Sequence, residues 1–405
     1  MEQSRAVRIS LPLSKSISNR ILLLEALSGG AIRPDAVSDS TDTTRLKQLL
    51  YSSDYVLDAG DGGTTFRFVL PWLALGGKER ILTGTPRMLK RPVSELVDAL
   101  NSMGADITYA GESGCPPLKV GVSRIAGGEV TVDTSRSSQF VSALLLTAPF
   151  LPAGMVIHMT GPQVSSSYVR MTLRILERAC IDYHTGDFRI EIPHQDVSQQ
   201  VLTVEQDWSS AAFWYELAAL RPDLSFFLEG LTMDSVQGDA AAAVHFERLG
   251  VISRPSDSGM MITCSADHFS QTALEFDLSA TPDLAPPLVV ACFARKIPAV
   301  FTGISHLRYK ESDRMELLER YLTVCGARVI YDGLKFELQS FSDRTRPVLV
   351  DPHEDHRIAM AFAILGSSQP GVTVSHPEVV SKSYPDFWNQ LAKCPVTPAS
   401  TGAEA

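Results

Sequence analysis

The residues of this sequence that could do chemistry are cations set among small polar residues, each group followed by an apolar run. Lys15 and Arg20 stand in PLSKSISNR ahead of ILLLEAL, and Arg357 stands in EDHR ahead of IAMAFAIL. RYKESDR packs Arg308, Lys310 and Arg314 with Glu311 and Asp313 ahead of MELLERYL. GDGGTTFRFVL, SRSSQFVSALLL, SSSYVRMTLRIL and QDWSSAAFWYELAAL repeat the pattern with Gly, Ser, Thr or Asp at the front. Ser, Thr and Asp are ordinary helix N-caps, so each stretch alone reads as capping. Taken together, several helix N-termini with exposed N–H groups and partial positive charge make an anion site if they face one cleft. Carboxylates among the cations would add acid–base capacity.

Other chemistries fit less well. GDGGTT lacks the third glycine of a dinucleotide fingerprint, and the chain contains neither G-x-x-x-x-G-K-[ST] nor G-x-S-x-G. HEDH could pair His353 with His356 on a helix, but no third metal ligand announces itself nearby. Cys115, in ESGCPPLKV, has no neighbouring His or cation to activate it and reads as an ordinary thiol. RYKESDR, PRMLKRP and SKSYPDF each have a plain alternative as solvated surface charge.

Composition narrows the setting. A chain of 405 residues favours two domains, and 44% hydrophobic residues support packed cores. A net charge of −10 argues against nucleic acid as the main partner, while leaving room for a local basic pocket. The six cysteines are scattered without metal or disulfide spacing. No apolar run is long enough to span a bilayer, and MEQSRAVRIS lacks the apolar core of a secretory signal. A cytoplasmic protein with no membrane partner is expected.

The elements that must position these residues appear in a repeating order. Amphipathic runs close near Gly30, Gly104, Cys180, Gly250 and Gly326 and lead into β-rich segments. Glycine suits the left-handed residue that follows a helix. The markers lie about 70 to 76 residues apart, longer than solenoid repeats, which predicts compact α/β units with two helices each. With the C-terminal PDFWNQLAKC helix, six units are expected, three per domain.

These stretches, in this order, resemble the enolpyruvyl transferases. The similarity rests on LPLSKSISNRILLLEAL, GDGGTTFRF, LTGTPRMLKRPVSELVDAL, SSQFVSALLLTAP, VSSSYVRMTL, VEQDWSSAAF, TPDLAPPLVVACFA, LRYKESDRM, EDHRIAMAFAI and VSKSYPDFW. It implies an α/β fold of two domains, each with three βαβαββ repeats whose helix N-termini face the interdomain cleft. Residues 1–13 plus 207–405 would form one domain, carrying Asp283, Lys310, Glu311, Arg314, Arg357 and Lys382. Residues 14–206 would form the inserted domain, with most of the shikimate 3-phosphate site.

The resemblance, in its shikimate branch, further implies transfer of the enolpyruvyl group from phosphoenolpyruvate to the 5-hydroxyl of shikimate 3-phosphate. Phosphate would be released by addition and elimination through a tetrahedral intermediate, on the route to chorismate and aromatic amino acids. Carried over by position, Lys15, Asp283 and Glu311 would be catalytic. Shikimate 3-phosphate would meet Lys15, Ser16, Arg20, Ser137, Ser138, Gln139, Ser165, Asp283 and Lys310. Phosphoenolpyruvate would meet Lys15, Gly63, Arg87, Gln139, Arg314, Arg357 and Lys382. A monomer with no cofactor, no metal and small anionic substrates is expected.

Two alternatives are a transferase acting on UDP-N-acetylglucosamine and a non-catalytic anion-binding protein. The first typically has Lys-Asn near its N-terminus, where this chain has Lys15 and Ser16. The second has no use for an acid–base set. Departures from the family pattern are Asp61 and His306 where Asn is usual, Gln206 and Trp208 in place of small residues, and a short segment between Thr44 and Asp58 that is expected to have lost a strand.

Overall fold

The structure is a computed structural model that describes residues 6–265, 273–343 and 347–395. Its helices are α1 (Lys15–Leu27), α2 (Thr41–Leu50), α3 (Gly63–Leu75), α4 (Ser94–Ser102), α5 (Gln139–Thr147) and α6 (Ser166–Arg178). They continue as α7 (Trp208–Leu220), α8 (Ala242–Glu247), α9 (Ala285–Ala294), α10 (Arg314–Val324), α11 (His356–Ser368) and α12 (Phe387–Leu391). Several begin where the small polar residues predicted. Ser14, Ser40, Asp207, Asp313 and Asp355 each accept a hydrogen bond from a backbone N–H in the first turn, satisfying a donor the helix cannot.

Four four-stranded sheets share one connectivity. In each, a parallel pair is followed by two antiparallel strands, so the spatial order is first, second, fourth, third. Val56–Asp58 lies parallel to Arg80–Thr83, which pairs with Leu118–Val120 and through it with Ile107–Tyr109. Gly128–Asp133, Val7–Ser10 and Leu274–Asp277 start equivalent sheets. Two further sheets have only the parallel pair: Gln200–Leu202 with Ile32–Pro34, and Val348–Val350 with Val372–Val374. Among the described residues, each half thus holds two complete βαβαββ units and one reduced unit, not three complete ones. The first reduced unit is where the short segment after Thr44 predicted one missing strand; both antiparallel strands are absent there among the described residues. In the second, the chain after Val374 forms a 3-10 turn, Pro377–Lys382, instead of a hairpin.

All five marker residues have positive φ, from 57° at Cys180 to 105° at Gly326. They are not all equivalent. Gly104, Cys180, Gly250 and Gly326 follow the second helix of a unit, whereas Gly30 follows the first helix of the reduced unit, so its spacing to Gly104 is not a repeat length.

Two hydrophobic cores result. One gathers residues between Ile17 and Val204; the other gathers Ile9 with residues from Trp208 to Phe387. Helix α7, apolar all round, lies at the centre of the second, with Trp214 against Phe226, Tyr384 and Phe387. The chain passes between the cores twice, and the passages run side by side. Leu13 bridges Gln206, Ser14 N–H donates to Glu205 O at 2.8 Å, and Asp207 N–H donates to Pro12 O at 2.9 Å. Trp208 fills the core beside this junction, its Nε1 donating to Thr232 O at 3.0 Å.

Candidate active site

The helix starts converge. One cavity between the halves is lined by Lys15 and Ser16 of α1, Asp42 of α2, Gly63 and Thr64 of α3, Ser138 and Gln139 at the start of α5, and Ser165 before α6. From the other half come Asp283, ahead of α9, Lys310 and Glu311, Arg314 of α10, and His356 and Arg357 of α11. Arg20, Arg91 and Tyr168 complete it. Six Lys and Arg side chains thus face three carboxylates, Asp42, Asp283 and Glu311. The cavity carries surplus positive charge in a chain of net charge −10.

Asp283 is the junction of the second half's groups. Arg314 Nη1 donates to its Oδ1 at 2.8 Å, and Arg357 Nη2 to its Oδ2 at 2.7 Å. Burial disfavours the charge, but Arg357, Lys310 and Arg314 outweigh it and hold the carboxyl well below its usual range. Glu311 is similar: burial opposes ionisation, and Lys382, Arg314 and Arg91 enforce it. Arg314 is 1% exposed and spends its guanidinium on three carboxylates, Asp283, Glu311 and Asp355. Each of its three nitrogens thereby donates to a carboxylate. Burial lowers the Lys310 ammonium to about 8 against the pull of Asp283. His356 is kept neutral by burial and by Lys15, with neither ring nitrogen partnered among the described residues.

On the facing wall, Lys15 Nζ pairs with Asp42 at 3.0 Å. Arg20 is buried and tied to Thr172 Oγ1 at 2.8 Å, Ser16 O at 2.8 Å and Ser142 Oγ at 3.1 Å, with burial lowering it to about 10. Gln139 accepts from Arg67 Nη1 at 2.6 Å, which fixes its amide so that Nε2 faces Thr64 Oγ1 at 2.8 Å and the cavity. A β-carbon on Gly63 would lie 2.5 Å from Arg91 Nη2 and 2.6 Å from Arg67 Nη1, so only glycine leaves room for both guanidiniums.

Most of the site residues expected from sequence meet here. Three do not line the cavity. Arg87 turns away, its Nη2 donating to Lys310 O at 2.8 Å and to Arg308 O at 3.2 Å, so it fastens one half to the other. Arg91, past the intervening 3-10 turn Met88–Lys90, lines the cavity instead. Ser137 sits behind the wall, its hydroxyl accepting from Gln139 N–H at 3.2 Å. Lys382 lies at the rim, paired with Asp61 across the halves and 3.8 Å from Glu311. Asp42, Thr64, Arg91, Tyr168 and His356 were not singled out as site residues. Asp42 and Thr64 look in sequence like ordinary first-turn residues, and Arg91 like one cation of a basic cluster.

The remaining motifs resolve simply. His353 and His356 part company, the first exposed at φ 48° and the second buried in the cavity. Among the described residues no group of three or more His, Cys, Asp or Glu side chains could hold a metal ion. Burial pushes the Cys115 thiol up. No described helix is long and apolar enough to cross a membrane.

Comparison with known proteins follows the same lines. Residues 35–391 match the family model described as EPSP synthase (3-phosphoshikimate 1-carboxyvinyltransferase). The chain is 37% identical over 390 residues to a 3-phosphoshikimate 1-carboxyvinyltransferase of Bacteroides fragilis, covering 95% of this chain and 94% of the relative. It is 32% identical to a protein of the same name from Methanoculleus marisnigri, covering 94% of each. The fold resembles an EPSP synthase structure from Acinetobacter baumannii, with TM-score 0.71, 20% identity and 96% of each chain covered. It also resembles the enolpyruvyl transferase NikO from Streptomyces tendae, with TM-score 0.70, 14% identity, and 96% and 94% covered.

Proposed function

The chain belongs to the EPSP synthase family, and from that membership we propose how its cavity carries out the family's reaction. The protein is an enzyme of the shikimate pathway that transfers the carboxyvinyl group of phosphoenolpyruvate to shikimate 3-phosphate. Both substrates are small and multiply anionic. The observation that carries the assignment of roles is the surplus of cations around an ionised carboxylate, Asp283, in one cavity built from both halves.

Shikimate 3-phosphate lies against Lys15, Ser16, Arg20, Ser138, Gln139 and Ser165, with Asp283 and Lys310 opposite. Ser137 contributes by ordering the start of α5. Phosphoenolpyruvate takes the N-terminus of α3 at Gly63, together with Arg91, Gln139, Arg314 and Arg357, with Lys15 and Lys382 flanking it. Guanidinium forks suit carboxylate and phosphate oxygens, which point charges alone would not orient.

In the addition step Asp283 accepts the proton of the 5-hydroxyl as its oxygen bonds to the enol carbon. A proton from Lys15 reaches the methylene, giving the tetrahedral intermediate. Elimination breaks the bond to the phosphate oxygen, phosphate leaves with the electron pair, and the methyl group gives a proton back to Lys15 or to the ionised Glu311. The cations stabilise charge as it develops. Residues 1–13 with 207–405 form one domain and residues 14–206 the other; the two cores and the paired crossings at Leu13 and Gln206 support this division. The enzyme acts as a cytoplasmic monomer.

The deciding assay measures phosphate release. Release is expected only when phosphoenolpyruvate and shikimate 3-phosphate are both present. Release with UDP-N-acetylglucosamine in place of the latter, or none with either acceptor, would overturn the reading.

A further inference from the structure

One contact across the cleft involves a residue outside that set. Ser165 is the N-cap of α6, yet its hydroxyl does not cap the helix. Its backbone is left-handed, at φ 56°, a conformation that costs a residue with a side chain. Its N–H is committed to Ser279 O, 2.7 Å away in the other half. Ser165 lines the cavity, and its hydroxyl meets His306 Nε2 at 3.2 Å. His306 is 2% exposed, and its Nδ1 has no hydrogen-bond partner among the described residues.

Burial, reinforced by Lys310, pushes this imidazole down to about 3, so the ring is neutral and carries one N–H. Protonated on Nδ1, it would bury a donor with no acceptor. Protonated on Nε2, it leaves only a lone pair unmatched, and orphaned buried N–H groups are the rarer and costlier of the two. The Nε2–H then donates to Ser165 Oγ, and the serine proton must point elsewhere. Its own helix does not take that bond, and the open side is the cavity.

We propose that His306 is a positioning residue: its Nε2–H fixes Ser165 Oγ as an acceptor and so directs the Ser165 O–H into the cavity, as a donor to an anionic oxygen of shikimate 3-phosphate. The inference rests on the reading of Ser165 as a contact of that substrate. Because the two residues come from different halves, the donor is set only when the halves meet.

The test compares His306→Leu, His306→Gln, Ser165→Ala and the double variant His306→Leu/Ser165→Ala, with separate KM values for the two substrates. His306→Leu should raise KM for shikimate 3-phosphate about tenfold, as for loss of a hydrogen bond to a charged group. It should leave kcat and KM for phosphoenolpyruvate within about twofold. His306→Gln, whose amide can supply the same donor, should recover most of the loss, and in the Ser165→Ala background His306→Leu should add less than about twofold. An unchanged KM in His306→Leu, or a penalty that adds in full to that of Ser165→Ala, would overturn the proposal. Ser165→Ala with unchanged KM would overturn the underlying substrate reading as well. If His306→Leu does not fold, nitrogen NMR of histidine-labelled wild-type enzyme decides: His306 should be the neutral Nε2–H tautomer, and the Nδ1–H tautomer would sink the idea.

Discussion

Tyr168 and Asp283 meet across the cleft, the phenol donating to Oδ2 at 2.7 Å from the first turn of α6 to the turn before α9. The carboxylate of one half is thereby held by a phenol of the other and by two guanidiniums of its own. All three partners donate, which keeps Asp283 an ionised acceptor. Asp283→Ala should lower kcat about 10²-fold or more, the usual loss for an acid–base group. Tyr168→Phe, which removes one donor of three, should cost about tenfold or less. Steady-state phosphate release checks both, and unchanged turnover in Asp283→Ala would remove that residue from the mechanism.

Arg91 and Arg87 are four residues apart and point to different partners. Arg91→Ala should raise KM for phosphoenolpyruvate about 10- to 100-fold, the effect of losing a charge-assisted hydrogen bond to an anion. Arg87→Ala should change it less than about threefold. Equal effects in the same assay would contradict the placement of the two side chains.

At Gly63 a single methyl group would press on two guanidiniums. Gly63→Ala should raise KM for phosphoenolpyruvate about tenfold, in line with the cost of overpacking, and change KM for shikimate 3-phosphate less. Measured KM values that do not move would mean that Arg67 and Arg91 can step aside freely.

Glu216 is 0% exposed in α7, with neither carboxyl oxygen hydrogen-bonded among the described residues. Burial raises its carboxyl well above the usual range. The folded state therefore keeps a proton that the unfolded chain loses above about pH 4.3. Stability is favoured below that pH and falls as pH rises towards the folded value, by at most about 1.4 kcal/mol per pH unit. Glu216→Gln should stabilise the protein more at pH 8 than at pH 5, read by urea unfolding. The same difference at both values would show that Glu216 does not titrate this way.

Much of the site was legible locally. Lys15, Arg20, Arg314 and Arg357 stand near helix starts whose caps are written in the neighbouring residues, and a cation there needs only a few residues of chain to be placed. Asp283 carried no such local mark and entered through resemblance alone. The repeat was legible because a left-handed residue after a helix favours particular side chains, yet Gly30 met that condition out of phase.

By itself the sequence determined the α/β units, the capped helix starts and the surplus of cations near them, since each depends on residues close in the chain. Only the tertiary structure decided which guanidinium enters the cavity. Arg87 and Arg91 lie on either side of a 3-10 turn, and the carbonyls of Arg308 and Lys310, far away in sequence, claim the first. The partners of Asp283, Tyr168, Ser165 and His306 were decided in the same way. Hydrogen bonds and desolvation act between groups that the fold brings together, and residue spacing along one half says nothing about what the other half presents.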